Sequence, residues 1–321
     1  MKKSLGEFEL IKRLASRLPA PSGEGVVGIG DDAAALPTKD GVMLLTCDIA
    51  LAGRHFQPGI TPMADVGWKV TSSSVSDIAA CGGMPASALI SLGVPEDSPQ
   101  ADLDALYEGI AEAGAHYGFE VLGGNVTGSK ELLVDCFMMG QAPRFIPRSG
   151  AQPGDVICVS GTLGDSDAGL TLLGTEPQGA AEQALLRRHL RPRARTDLVP
   201  LLQRAASAAI DISDALASEL HHVARASAVQ LVVEGQRVPI SSELRSFAHA
   251  RHEDPLQRAL FGGEEYQLLF TVPPHKAPQP GGEDITVIGE VREGSGVLLD
   301  GEPLPGRGWD HLRKDQPSGG E

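Results

Sequence analysis

Two glycines and two adjacent aspartates in residues 28–34, GIGDDAA, constrain this chain more than any other stretch. Glycine lets the backbone turn tightly and approach a ligand closely. Paired carboxylates are costly to bury without a counter-charge, so Asp31 and Asp32 read poorly as core residues. The theme recurs in small-residue segments: Asp48 in TCDIALAGRHF, Asp77 in SDIAACGGMP, and Asp211 and Asp214 in AIDISDALASEL. Asp77 falls near the C-terminal end of its expected helix, where the helix dipole disfavours an anion by roughly 0.3–1 kcal/mol and a bound cation would reverse that penalty. The ordinary reading of Asp77 alone is a solvated helix end. Taken together, carboxylates of this kind suit magnesium, which takes hard oxygen ligands and bridges to phosphates. Such ions neutralise charge during in-line phosphoryl transfer.

Composition removes several function classes. The net charge of −15 argues against nucleic acid and anionic membranes as partners, and an aromatic content of 4% offers few stacking platforms. Cys47, Cys81, Cys136 and Cys158 form no CxxC pair, which points to a reducing cytoplasm rather than a disulfide scaffold or zinc site. No apolar run approaches the roughly 18 residues that span a bilayer. The first residues read as an amphipathic helix with Phe8, Ile11, Leu14 and Leu18 on one side, not as a signal peptide.

At 321 residues the chain has room for two domains. Strands are expected at residues 42–46, 86–94, 120–122 and 131–139, with the third breaking at GGNVTGSK (123–130). Helices are expected from a Thr61 cap to Ala80, stopping at Gly82-Gly83, and over 101–117. The Pro-, Gly- and Arg-rich stretch 143–153 reads as the domain boundary. Beyond it, strands fall at 155–160, 208–212, 229–233 and 285–291, with another following the turn in FGGEEYQLLF. A helix spans 180–190, and Ser213 is placed as the cap of a further helix whose inner face carries Leu216, Leu220 and Val223. Alternating strands and helices in two blocks indicate two α/β-type domains, an α+β chain overall.

Two phosphate motifs are imitated and fail. Gly28-x-Gly30-x-x-Ala33 needs a following helix to be a dinucleotide fingerprint, and Pro37 and Asp40-Gly41 intervene. Gly123 to Lys130 resembles a Walker A loop with its last two residues reversed, followed by strand-like sequence. GTLGDSDAGL is a glycine-bounded loop feeding a helix, an arrangement that aims N–H groups at an anion. His55 is a metal ligand, a base, a substrate contact or a lone surface histidine. Glu264 and Glu265 sit on a tight turn or a solvent-facing hairpin. Arg187, Arg188, Arg191, Arg193 and Arg195 grip phosphate or, more simply, balance a helix end.

The order GIGDDAA, TCDIALAGRHF, SDIAACGGMP, GGN, RSGAQPGD, GTLGDSDAGL, AIDISDALASEL, FGGEEYQLLF and GWDH resembles the thiamine-monophosphate kinase family over nearly the whole chain. That family belongs with aminoimidazole ribonucleotide synthetase and selenophosphate synthetase. The resemblance implies ATP-dependent phosphorylation of thiamine monophosphate to thiamine diphosphate at a magnesium cluster, in a homodimer. It implies a PurM-like N-terminal sheet domain (1–145) that binds ATP and magnesium and pairs across the dimer. A mixed α/β domain (146–313) and a disordered tail (314–321) follow. Asp32, Thr46, Asp48, Asp77, Asp211 and Asp214 match metal positions, as does Cys47 through its backbone, with Asp32, Asp77 and Asp214 catalytic. Tyr107, Gly124, Asn125, Arg148 and Ser213 match nucleotide positions, and His55, Glu264 and Trp309 match positions near the thiamine phosphate. Asn125 stands where the family commonly has a metal-binding aspartate, Ala215 replaces a glycine, and Glu265 replaces an aspartate. The alternatives are a same-superfamily enzyme with another acceptor or an inactive nucleotide-binding homologue. No reactive N-terminal cysteine supports selenophosphate synthesis, and the GRHF and GGEEY strings disfavour aminoimidazole ribonucleotide synthesis.

Overall fold

A computed structural model describes residues 6–277 and 284–309. The tail expected at 314–321 lies outside the described residues, as does the side chain of Phe8. Helix α1 (Glu7–Ala15) is followed by β1 (Ala34–Thr38), β2 (Gly41–Leu51), α2 (Met63–Ala80), β3 (Met84–Val94), α3 (Gln100–Tyr117), β4 (Glu120–Gly128) and β5 (Leu133–Ala142). The strands form one sheet in the order β1-β2-β5-β3-β4, in which only β3 and β4 run parallel. Ile11 and Leu14 are exposed on α1, and Leu18, also exposed, lies beyond the helix.

Helix α2 is the centre of the molecule. Twelve of its residues are buried, among them Thr71, Ser72, Ser73, Ser74 and Ser76. A helix this polar is buried because each hydroxyl finds an acceptor: Thr71 Oγ1 bonds Gly67 O at 2.8 Å and Ser73 Oγ bonds Val70 O at 2.9 Å. Its start differs from expectation. Pro62 is the cap residue, and Thr61 Oγ1 instead accepts the N–H of Gln57 at 3.0 Å, closing the turn before the helix. The strand expected to break at GGNVTGSK continues to Gly128. Gly124 makes that possible, because a Cβ there would collide with the backbone of Ile90 on β3. Every residue of β4 is exposed, and its outer edge carries Leu122 and Val126.

The second half contains β6 (Val156–Ser160), α4 (Asp165–Leu170), α5 (Ala180–Leu190), α6 (Val199–Ala205), β7 (Ala208–Ile212), α7 (Leu216–Ser227), β8 (Gln230–Val233), α8 (Ser242–Arg251), α9 (Pro255–Phe261), β9 (Gln267–Val272), β10 (Ile285–Arg292), β11 (Gly296–Leu299) and β12 (Glu302–Pro303). Its seven-stranded sheet has the order β12-β11-β8-β10-β6-β9-β7. One face packs on Leu216, Leu220 and Val223 of α7. On the other face Phe270 and Leu268 meet Leu201 and Leu202 of α6, together with Ala80 of α2 and Ile146. That last cluster joins the end of α2 to the second sheet and fixes one half against the other.

Helices α2 and α3 approach so closely that glycine is needed where they meet. A Cβ on Gly109 would collide with Ala64 O, and one on Gly67 with Leu106 O. In an exposed helix Gly→Ala stabilises by about 1 kcal/mol. Here Gly109→Ala is expected to destabilise by about 1–3 kcal/mol through overpacking, read as a lowered melting temperature in calorimetry.

Candidate active site

The site lies where α2 faces β2 on one side and β7 on the other. Side chains alternate along a strand, so Thr46 and Asp48 of β2 both point to α2 while Cys47 and Ile49 point away. Thr46 Oγ1 donates to Asp77 Oδ2 at 2.6 Å, and Ser74 Oγ donates to Asp48 Oδ2 at 2.8 Å. Across the other interface Ser76 Oγ donates to Asp211 Oδ2 at 2.7 Å. Asp77 is therefore an ordered internal carboxylate and not a solvated helix end. Asp31 organises the turn of GIGDDAA. Its Oδ1 accepts the N–H of Asp32 at 3.0 Å, and its Oδ2 accepts that of Arg148 at 3.1 Å.

Arg148 also forms an ion pair with Asp32, so its guanidinium serves here as the counter-charge of the cluster. Asp32 Oδ2 is sealed from solvent and has no hydrogen-bond partner. Leaving such an oxygen unmatched is expensive unless a cation or donor meets it. Burial, followed by the charges of Asp48, Asp211 and Asp32, pushes Asp77 well above the usual carboxylate range. Burial likewise pushes Asp48 up to about 6 and Asp211 to about 7. Asp214 lies within electrostatic range of Asp211.

Glu219, which none of the sequence motifs singles out, belongs to the same group. It is 3% exposed, its Oε1 accepts the N–H of Asp214 at 3.3 Å, and burial with Asp214, Asp211 and Asp32 nearby raises it strongly. This bond replaces the expected Ser213 cap; α7 begins after Ala215 without a side-chain cap. The signal was present, since Glu219 interrupts the inner stripe of Leu216, Leu220 and Val223.

Among the described residues, potential ligand atoms of Asp31, Asp32 and Cys81 all lie within 4.8 Å of one another. Burial and the neighbouring aspartates push the Cys81 thiol far up, and a neutral thiol is a poor partner for a hard cation. The carboxylates of Asp32, Asp48, Asp77, Asp211 and Asp214 are hard oxygen donors of the kind a divalent ion takes, and Asp32 Oδ2 is left without a partner.

A second group flanks the carboxylates. Lys69 of α2 pairs with Glu264 at 2.7 Å. His55 lies within electrostatic range of Glu264, and its Nδ1 accepts the N–H of Leu51 at 3.0 Å. Arg54 stacks over Trp309 at 5.7 Å, and Gly308 packs against Asp214 and Ser218. His55, Glu264 and Trp309 thus gather beside the cluster. Ser213 joins them through its carbonyl, which accepts the N–H of Glu264 at 2.6 Å.

Three expected residues do not join within one chain. Asn125 pairs in register with Ser91, which pairs with Asp135, so it shares the sheet face opposite α2 and points away from Asp48. Gly124 has a packing role on β4, and Tyr107 is exposed on α3. None of the three has a hydrogen bond or ion pair to the cluster among the described residues. The arginine-rich string resolves into internal ion pairs, Arg188 with Asp165, Arg191 with Asp65 and Glu112, and Arg195 with Asp197. The helix start after GTLG is filled from within, as Glu265 Oε1 accepts the N–H of Ser166 at 3.1 Å. Glu265 is therefore a buried structural carboxyl, pushed up to about 8 by burial, and not a hairpin tip.

Fold and site together define an AIR synthase related protein. Residues 30–142 match the N-terminal domain of that family and residues 152–300 the C-terminal domain. The thiamine-monophosphate kinase of Aquifex aeolicus is 42% identical over 97% of this chain and 99% of its own length. That of Escherichia coli K12 is 37% identical over 96% and 98%. A solved structure described as AaThiL complexed with AMPPCP and TMP superposes with a TM-score of 0.90 at 42% identity, covering 96% of this chain and 97% of that one. This chain belongs to the thiamine-monophosphate kinase family.

The raised carboxylates have a consequence for stability. A carboxyl group whose folded pKa exceeds its usual 3.8 keeps its proton in the fold after the unfolded chain has released it. The contribution is complete below 3.8 and is lost as pH rises through about 6 for Asp48 and about 7 for Asp211. Metal-free protein should melt several degrees lower at about pH 8 than at about pH 5, and magnesium should raise the melting temperature more at the higher pH. Scanning fluorimetry with and without magnesium checks this; equal magnesium increments at both pH values contradict it.

Proposed function

We propose that this chain transfers the γ-phosphoryl group of ATP directly to the phosphate of thiamine monophosphate, yielding thiamine diphosphate and ADP. The observation that carries the reading is the convergence of Asp32, Asp48, Asp77 and Asp211 around α2, with one buried oxygen left unmatched. An acidic cavity of this kind repels a bare polyphosphate and accepts one that arrives with cations. Asp32, Asp48, Asp77, Asp211 and Asp214, with the Thr46 hydroxyl and the Cys47 carbonyl, are the groups that would hold magnesium. Bound there, magnesium supplies charge neutralisation for the phosphate oxygens.

The acceptor oxygen of thiamine monophosphate is already anionic, so the reaction needs alignment more than a strong base. The histidines agree with that requirement. His55 has Nδ1 occupied by the Leu51 N–H, and burial holds His189 down at about 4, neutral at physiological pH. Arg148, the guanidinium paired here with Asp31 and Asp32, is the cationic side chain we assign towards the nucleotide. The acceptor falls on the side of His55, Glu264 and Trp309, opposite the triphosphate.

A homodimer completes the reading. The edge strand β4 exposes Val121, Leu122 and Val126, and the open sheet face adds Ile49, Met84 and Leu89. A large exposed apolar patch beside an unpaired strand edge suits a second copy of the chain. No helix among the described residues is long and apolar enough to cross a membrane.

In a coupled ADP-release assay, turnover should require both thiamine monophosphate and magnesium. Asp77→Ala and Asp214→Ala should each lower kcat by at least about a hundred-fold, as loss of charge stabilisation at a reacting group does, with the fold intact by circular dichroism. Near-normal turnover in either variant contradicts the assignment.

A further inference from the structure

Lys69 is the one described lysine that is not exposed, and none of the roles assigned above uses it. It lies on the same stripe of α2 as Ser76, seven residues on, so both face the second half of the chain. Ser76 meets Asp211 there, and Lys69 meets Glu264. The lysine side chain is 13% exposed and its Nζ is sealed from solvent, with Glu264 Oε1 at 2.7 Å as its counter-ion. A buried ammonium held by one carboxylate costs more than a surface pair contributes, so its retention calls for a reason beyond stability.

The partner is held in a defined pose. Glu264 has φ of +60° and Tyr266 of +52°, left-handed conformations that side chains other than glycine adopt at a cost. The N–H groups of these two residues bond to Ser213 O and Ile212 O, where the end of β7, with Asp211, runs into the turn that carries Asp214. Burial alone would push the Glu264 carboxyl up, but the Lys69 ammonium outweighs it and keeps the carboxyl below its ordinary value. Oε1 is spent on Lys69, whereas Oε2 faces His189 Nδ1 at 3.7 Å, beyond hydrogen-bond length. That histidine is neutral and already within 3.2 Å of Ser166 Oγ. With 32% of its side chain exposed, Glu264 keeps one anionic oxygen for a ligand.

We propose that Lys69 is a positioning residue for the phosphate acceptor: it turns Glu264 so that Oε2 receives the positively charged organic half of thiamine monophosphate. The thiazolium ring carries a permanent positive charge and the aminopyrimidine donates through its amino group, and both favour a fixed carboxylate. Without Lys69, Glu264 would stand unneutralised beside the aspartate cluster and turn or take up a proton. The inference rests on the reading of Glu264 as an acceptor contact.

Calorimetric binding of thiamine monophosphate in the presence of a non-hydrolysable ATP analogue and magnesium tests it, alongside steady-state kinetics. Lys69→Met should weaken acceptor binding and raise its KM by at least about ten-fold, as removal of one partner from a buried charge pair does, with the KM for ATP within about two-fold of normal. Lys69→Arg should restore most of the affinity. Glu264→Gln should show the same acceptor-specific loss, and the double variant should be no worse than the poorer single one, the signature of two residues acting as a unit. Normal acceptor binding in Glu264→Gln overturns the underlying reading of Glu264. Loss in Glu264→Gln with normal binding in Lys69→Met overturns the role of Lys69 alone. Equal weakening for ATP and acceptor, or additive loss in the double variant, also overturns it.

Discussion

The structure depends on keeping a group of carboxylates dry around a single helix. Asp32, Asp77, Asp211 and Glu219 are all pushed upward by burial first, and neighbouring carboxylates, Asp48 and Asp214 among them, push the same way. Repulsion among like charges of this kind works against folding, and what holds them is a set of small hydroxyls and one guanidinium. Ser74, Ser76 and Thr46 each donate to a different aspartate, and Arg148 covers two more. The serine-rich sequence of α2 is the means by which a helix can be central, buried and surrounded by acid. The residual imbalance is stored at Asp32 Oδ2, where a cation is the natural complement.

The two halves of the chain are locked by the same helix. Ala80 of α2 contributes to the apolar cluster under the second sheet, while Ser76 and Lys69 make the polar contacts across to Asp211 and Glu264. The glycine contacts with α3 hold α2 from behind. The carboxylate cluster and the Lys69–Glu264 pair are therefore both held by one helix. Reactions governed by alignment and electrostatics benefit from that, because small displacements of reacting groups cost large factors in rate.

Much of this was legible in the sequence. The aspartates in small-residue segments, the absence of a helix after GIGDDAA and the failure of the Walker-like string all follow from residue chemistry, and β1 and β4 occupy the last two positions; Asp48, expected just past a strand end, instead lies inside β2, which runs on to Leu51. Local chemistry misled where a distant residue competes for the same group. Thr61 and Ser213 look like helix caps, but Gln57 N–H and Glu219 take the hydrogen bonds instead. Strand β4 looked broken because glycines suggest loops, whereas Gly124 is there to let the strand pass Ile90. The sequence pattern points to no element over 242–261, yet Ser241 and Asp254 are both side-chain caps and start α8 and α9. The Lys69–Glu264 pair was out of reach, since nothing in spacing links residues on different halves of the fold.

The central claim is that the carboxylates around α2 form a cation site for phosphoryl transfer. Electron paramagnetic resonance of manganese, a magnesium substitute with a readable signal, tests it most directly. In the presence of a non-hydrolysable ATP analogue the protein should remove free manganese from solution, and Asp77→Asn/Asp211→Asn should abolish that uptake while keeping its fold. Equal manganese uptake by the two proteins would contradict the account.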